Sequence, residues 1–273
     1  MEQIEVYIGS QPTTLIIPIG TATEHKIGIR VKSIEHQNTV FVDRYKTIFG
    51  AVDIEVGMPI APEKVLVEVF NMSGGIVPMR GGFRMGDILQ KPLQSLPNCI
   101  NYSNEKIKSA IPFFEQFSAM AGYSDAGGKV YYDKTFEFVI KYLDSIPEAP
   151  ETPARIHAEK GFIEVSAEYF RSYTIPMRMA VLLHEFSHYW LNRDIDSETE
   201  ADLNGLALYL SLGYPKISAF NSFTRVFMNA PTKANKDRME IIKTFISNFD
   251  EGNPPSFGEP LAALSAQCQK RLE

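Results

Sequence analysis

The chain of 273 residues has room for one large domain or two modest ones, and 44% hydrophobic with 22% charged residues is the make-up of a folded protein, not of a disordered, collagen-like or coiled-coil chain. Its 27 basic and 33 acidic residues leave a net charge of −6 with no basic run, which disfavours phosphate-driven binding of nucleic acid. The opening MEQIEVYIGS lacks the basic and apolar regions of a secretory signal, and no stretch approaches the roughly 18 uninterrupted apolar residues of a membrane span, so the expected location is cytoplasmic with no membrane partner. Cys99 and Cys268 stand far apart in unrelated contexts, which fits a reducing compartment better than a disulfide framework, with a single bridge left open.

From Ile4 to Met72 the runs LIIPIG, IGIRVKSI, TVFVDRY, VDIEV and VLVEVF are short, β-branched and separated by Gly, Pro, Asn or Asp, which predicts an all-β domain over 1–72, a sandwich or barrel. Residues 73–100 carry repeated Gly and Pro and read as a connection or extended arm. A third segment, 101–273, opens on a helix from about Asn104 to Met120 that Pro112 should kink or divide, followed by an amphipathic helix over Thr135 to Ile146. ARIHAEKGFIEVSAEYF then reads as a strand pair turning near Lys160-Gly161, and helices are expected over 176–191, 197–212, 215–228, 235–249 and near 259–271. The predicted class is therefore α+β: a β-rich N-terminal part, then a mostly helical part with a small sheet.

The sharpest chemical signal is His184-Glu185-Phe186-Ser187-His188 within MRMAVLLHEFSHYWL. Residues four apart share a helix face, so the two imidazoles can bind one metal ion while Glu185 lies beside a water activated by that ion, as its general base. The plain alternative is a pair of core histidines. Val181, Leu182 and Leu183 lead directly into the motif, as expected of a buried helix whose polar face needs a ligand.

Catalytic zinc usually takes three protein ligands. Downstream, Ser197 and Glu200 fit a capping box, which leaves Glu198 for the metal and places Asp202 four residues on, where it can accept the remaining N–H of a ligating histidine. Ala201 and Gly205 continue that face with small side chains that permit close helix packing. Two rival readings stand beside this one: a solvated first turn, where acids favour the positive helix end, and Asp194 as the third ligand at the last position of HExxHxxGxxH. Against Asp194, the turn-glycine position of that pattern is Leu191.

With HExxH on one helix and ETEAD opening the next, the chain resembles the gluzincin group of zinc metallopeptidases; the nearer likenesses are the CAAX-type membrane proteases, with HExxH and ExxAD, and the ImmA/IrrE-type peptidases, with HExxH and ExEAN. The resemblance spans 154–212. It implies a zincin-like domain over 101–273, one Zn2+ held by His184, His188 and Glu198, Glu185 as catalytic base, and hydrolysis of a peptide bond in a peptide or protein substrate. GFIEVSAEYF also resembles the edge strand on which such enzymes lay an extended substrate, although a buried strand of the core would look much the same. The group stabilises its oxyanion with a His, Tyr or Arg, for which Tyr214, Arg238 and His157 are the leading candidates, beside Tyr169 and Tyr173. A different reading takes the chain as a structural or interaction protein, for example a phage particle component located in the virion, that keeps the fold as a scaffold and meets a protein partner through its β domain.

Overall fold

A computed structural model describes residues 1–36, 38–72, 82–135, 137–157, 160–191, 197–229, 231–250 and 261–269. The chain is mixed α+β and divides into two compact units, Met1–Gln94 and Ser95–Glu273. The boundary falls inside the segment read as a connection. Of that segment, 73–81 lie outside the described residues, while the part after them contributes strands to the first unit and a short 3-10 helix to the second.

The first unit contains β1 (Glu2–Tyr7), β2 (Thr13–Ser33), β3 (Val40–Met58), β4 (Lys64–Asn71), β5 (Arg84–Met85) and β6 (Leu89–Pro92). Every pairing is antiparallel, in the order β1-β4-β2-β3 with β5 and β6 on β2. Among the described residues no pairing joins β1 to β3. Burial alternates with period two along Leu15, Ile17 and Ile19, along Ile27, Ile29 and Val31, and along Val65, Val67 and Val69. Cross-strand neighbours such as Ile17 with Ile54 and Ile29 with Val69 join these rows into one core.

The apolar runs are fewer strands than they look. LIIPIG and IGIRVKSI form one strand, β2, and TVFVDRY and VDIEV form another, β3. The polar residues between the runs, which read as turns, sit at a register shift between Thr21 and His25, where Gly50 with φ 73° lies opposite Thr21.

The second unit holds a sheet in the order β7-β8-β10-β9, from β7 (Lys129–Tyr132), β8 (Val139–Leu143), β9 (Ala154–His157) and β10 (Phe162–Ser166). β10 is parallel to β8 and antiparallel to β9. The helix expected over Thr135 to Ile146 is β8 instead. Phe138, Ile140 and Tyr142 bury alternate positions, and two strand partners outweigh the helical reading of a short apolar run. The strand pair around Gly161 forms, with Gly161 at φ 68°, but β10 is interior and β9 is the edge; AEYF turns into a short helix, α2 (Ala167–Phe170).

The remaining helices are α1 (Glu105–Met120), α3 (Ile175–Phe186), α4 (Glu198–Ser211), α5 (Lys216–Asn229), α6 (Lys233–Asp250) and α7 (Ala266–Gln269). α1 runs unbroken through Pro112, which stands on its exposed side, and Asn104 caps it by accepting the Lys106 N–H. Aromatic rings bind α1, β8 and α3 together: Phe114 meets Phe186 at 5.8 Å, Phe117 meets Tyr142 at 5.3 Å, and Phe138 meets Trp190 at 4.9 Å. Arg178 of α3 is fully buried and donates to Phe170 O at 2.6 Å and Ser118 O at 2.7 Å, carbonyls at the ends of α2 and α1. Burial lowers its pKa to about 10.

Cys99 and Cys268 are disulfide-bonded, with Cα atoms 5.1 Å apart: of the two states the sequence left open, the single bridge is the one formed, not the reduced pair it favoured. The segment carrying Cys268 is brought there by a bridge between Leu264 and Ile100 and by hydrogen bonds from Asn101 N to Ala263 O and Ser265 N to Cys99 O. No helix among the described residues is long and apolar enough to cross a membrane. Reduction, or Cys99→Ser, is expected to destabilise the second unit by about 2–4 kcal/mol; thermal unfolding with and without reductant reads this as a lower midpoint, and an unchanged midpoint contradicts a structural bridge.

Candidate metal centre

α3 carries His184 and Glu185, and the chain then widens into a π-helical turn, Ser187–Leu191, that carries His188. Across the facing helix, Ser197 caps α4 by accepting the Glu200 N–H, and Glu198 and Asp202 project from its first two turns. What brings the helices together is Gly205. A Cβ built there would stand 2.9 Å from His184 N and 3.0 Å from Leu183 O, backbone atoms of α3, so any side chain would push the helices apart.

Three donor groups converge on one point. His184 Nε2 and His188 Nε2 are 3.1 Å apart, and the Glu198 carboxylate places Oε2 3.6 Å from the first and Oε1 3.4 Å from the second. Both histidine side chains are 15% exposed and Glu198 is 55% exposed, so the cluster is walled by protein and open on the carboxylate side. Asp202, only 1% exposed, lies 2.8 Å from His184 Nδ1, on the ring edge away from the cluster. An N–H at Nδ1, facing Asp202, would leave the Nε2 lone pair for the cluster, which is the tautomer a metal ligand needs. Two imidazoles and a carboxylate within 4.8 Å of one another suit a divalent cation such as zinc, without being specific to it.

The electrostatics favour positive charge here. Burial works against an imidazolium at His184, but the Asp202 contact and the charges of Glu185 and Glu198 raise its pKa to about 9. Glu198 is held down to about 2 by its hydrogen bond to His188, with burial opposing and His184 and Arg238 assisting. Glu185 moves the other way, raised by burial among these groups. Its Oε2 accepts the backbone N–H of Ile156 at 2.9 Å, a hydrogen bond from the middle of edge strand β9. No side-chain pattern announces that contact, because its donor is a backbone amide.

The three leading candidates for the oxyanion role are engaged with other partners. Arg238 of α6 bonds Asp202 and Glu198. Tyr214 donates to Glu115 Oε1 at 3.3 Å and stacks on Tyr209, while burial raises Glu115 to about 7. His157 lies 2.8 Å from Glu164 Oε2, which Arg155 also reaches at 2.9 Å. Asp194, the alternative ligand, and the turn around 192–196 lie outside the described residues.

Comparison with known protein families, curated proteins and solved structures finds no match to this chain. The site must therefore be argued from its own atoms. Gly205→Ala is expected to destabilise the second unit by about 1–3 kcal/mol, because the backbone of α3 cannot move aside as a flexible side chain would, and to weaken zinc binding as Glu198 and Asp202 recede. Denaturant unfolding and zinc titration of the variant check both; wild-type values in both contradict the close-packing argument.

Proposed function

We propose that the chain is a zinc-dependent metallopeptidase that hydrolyses a peptide bond with Glu185 as general base. The observation that carries this reading is the convergence of His184, His188 and Glu198, with the Glu185 carboxylate next in sequence on the same helix. His184, His188 and Glu198 would hold one zinc ion, and Asp202 would fix the His184 tautomer. When bound, zinc supplies Lewis acidity, lowering the pKa of water and polarising a carbonyl.

The protein's own part is to move a proton and hold a chain. Glu185 is buried and raised above the ordinary carboxylate range, which makes it a stronger base than a solvated glutamate, and the Ile156 N–H keeps its carboxylate from rotating away. β9 is one of the two edge strands of the sheet and passes against Glu185, so an extended peptide laid along the backbone groups that Glu185 does not occupy would bring its carbonyl near the base. A peptide substrate is the chemistry that fits such an edge, and this part of the reading leans on the gluzincin resemblance of HEFSH and ETEAD.

A scaffold reading, in which the zincin-like fold persists with little or no activity, has one observation in its favour: Tyr214, His157 and Arg238 each already have a carboxylate partner, Glu115, Glu164 and Asp202 respectively. Protein partners of the N-terminal β unit and a virion location belong to that reading.

Glu185→Gln separates the two. It is expected to retain zinc and to lower hydrolysis of an unstructured peptide panel by roughly 10²- to 10⁴-fold. Full activity in the variant sinks the base assignment, and a wild type that holds zinc yet cuts neither the panel nor any protein offered favours the scaffold.

A further inference from the structure

We propose that Arg238 is the positioning residue of this centre, orienting both acids of α4 toward the histidines, and does not bind the oxyanion. The inference rests on the metal-binding reading of His184, His188 and Glu198, and adds a residue from a helix far along the chain.

The geometry is a fork closed on two carboxylates. Arg238 Nε reaches Asp202 Oδ2 at 2.7 Å and Nη2 reaches Asp202 Oδ1 at 3.0 Å, a bidentate pair. The same Nη2 lies 2.8 Å from Glu198 Oε2. Nη1 donates to Asn235 Oδ1 at 3.3 Å, one turn back on α6, so each nitrogen of the guanidinium has a partner. Its plane packs over the Phe227 ring of α5, 4.6 Å from the centroid, and the side chain is only 14% exposed. Four of the five N–H donors of the guanidinium are committed this way, and the contacts on all three nitrogens hold it against swinging toward a substrate.

Its effect reaches the histidines through the acids. Asp202 is almost fully buried between Arg238 and His184 Nδ1, and a buried carboxylate without a cation would protonate or pull away. Glu198 is half exposed on the first turn of α4, where its side chain has many rotamers in water; the bond to Nη2 selects the one that points at both imidazoles. Glu198 and Asp202 also share a helix face and repel, and one guanidinium between them offsets that repulsion. Lysine cannot substitute fully, because a single ammonium cannot serve as a planar fork to Asp202 and reach Glu198 at once.

The test is zinc affinity, measured by competition with a chromogenic chelator on the full chain, with thermal unfolding as the check on folding. Arg238→Lys keeps the charge and the stem, and is expected to fold and to bind zinc roughly 10-fold more weakly. Arg238→Ala is expected to lose roughly 100-fold and to recover part of it on addition of methylguanidinium, a rescue that a merely structural arginine would not show. Zinc affinity at the wild-type level in a folded Arg238→Lys or Arg238→Ala overturns the assignment, as does weakened affinity in Arg238→Ala that methylguanidinium leaves unchanged. If the wild type itself binds no zinc, the metal centre falls and this role with it; if the wild type binds and the variants bind equally, only the role of Arg238 falls.

Discussion

Two carboxylates on one helix can face two imidazoles on another only if the helix backbones come nearly into contact, and in this protein a missing side chain makes that possible. Gly205 stands against the backbone of Leu183 and His184, and a Cβ there would already be within 3.0 Å of it. Glu198 and Asp202 lie on the turns of α4 preceding that contact, so their reach to His184 and His188 is set by it. The helix meant to approach so closely is also buried along nearly its whole length, and Ser197 caps its start so that the first turn bearing Glu198 is well formed.

Once that contact exists, the charges organise around it in layers. Nearest the centre are two imidazoles and a carboxylate whose ligand atoms lie within 4.8 Å of one another. Behind them Asp202 holds one imidazole, and behind Asp202 a guanidinium holds both acids. A backbone amide from β9 holds the Glu185 carboxylate. Among the described residues, α3, the π-helical turn after it, α4, α6 and β9 thus each contribute directional interactions to this site, and α5 adds the rings of Phe223 and Phe227 beside His184 and Arg238. Such a layered arrangement leaves the central donors little freedom, which is what a preformed ion site requires.

How far the sequence discloses this depends on the range of each interaction. HEFSH and ETEAD are legible because helical spacing alone puts their members on common faces, and the capping box locates the start of α4 within a residue. The α+β class is legible from the shift between β-branched alternation and helical periodicity. Less is visible where pairing across the chain decides. Residues 139–143 carry apolar positions compatible with either period, and only their partners β7 and β10 make them a strand. The runs of the first unit look like separate strands because a register shift and Gly50 resemble turns. Arg238 lay 36 residues beyond Asp202 with no periodic relation to it, and its pairing with two acids had a signal only in retrospect: buried acids on one face require a cation. The cysteines, 169 residues apart, gave no local hint of their bond.

The central claim is that His184, His188 and Glu198 form one metal site, and metal stoichiometry tests it most directly. Elemental mass spectrometry of the purified protein after reconstitution with zinc, alongside Glu198→Ala and Asp194→Ala, should find about one zinc per chain in the wild type and in Asp194→Ala, with loss in Glu198→Ala. A wild type that holds no metal, or a zinc content that falls with Asp194 and survives the loss of Glu198, contradicts the account.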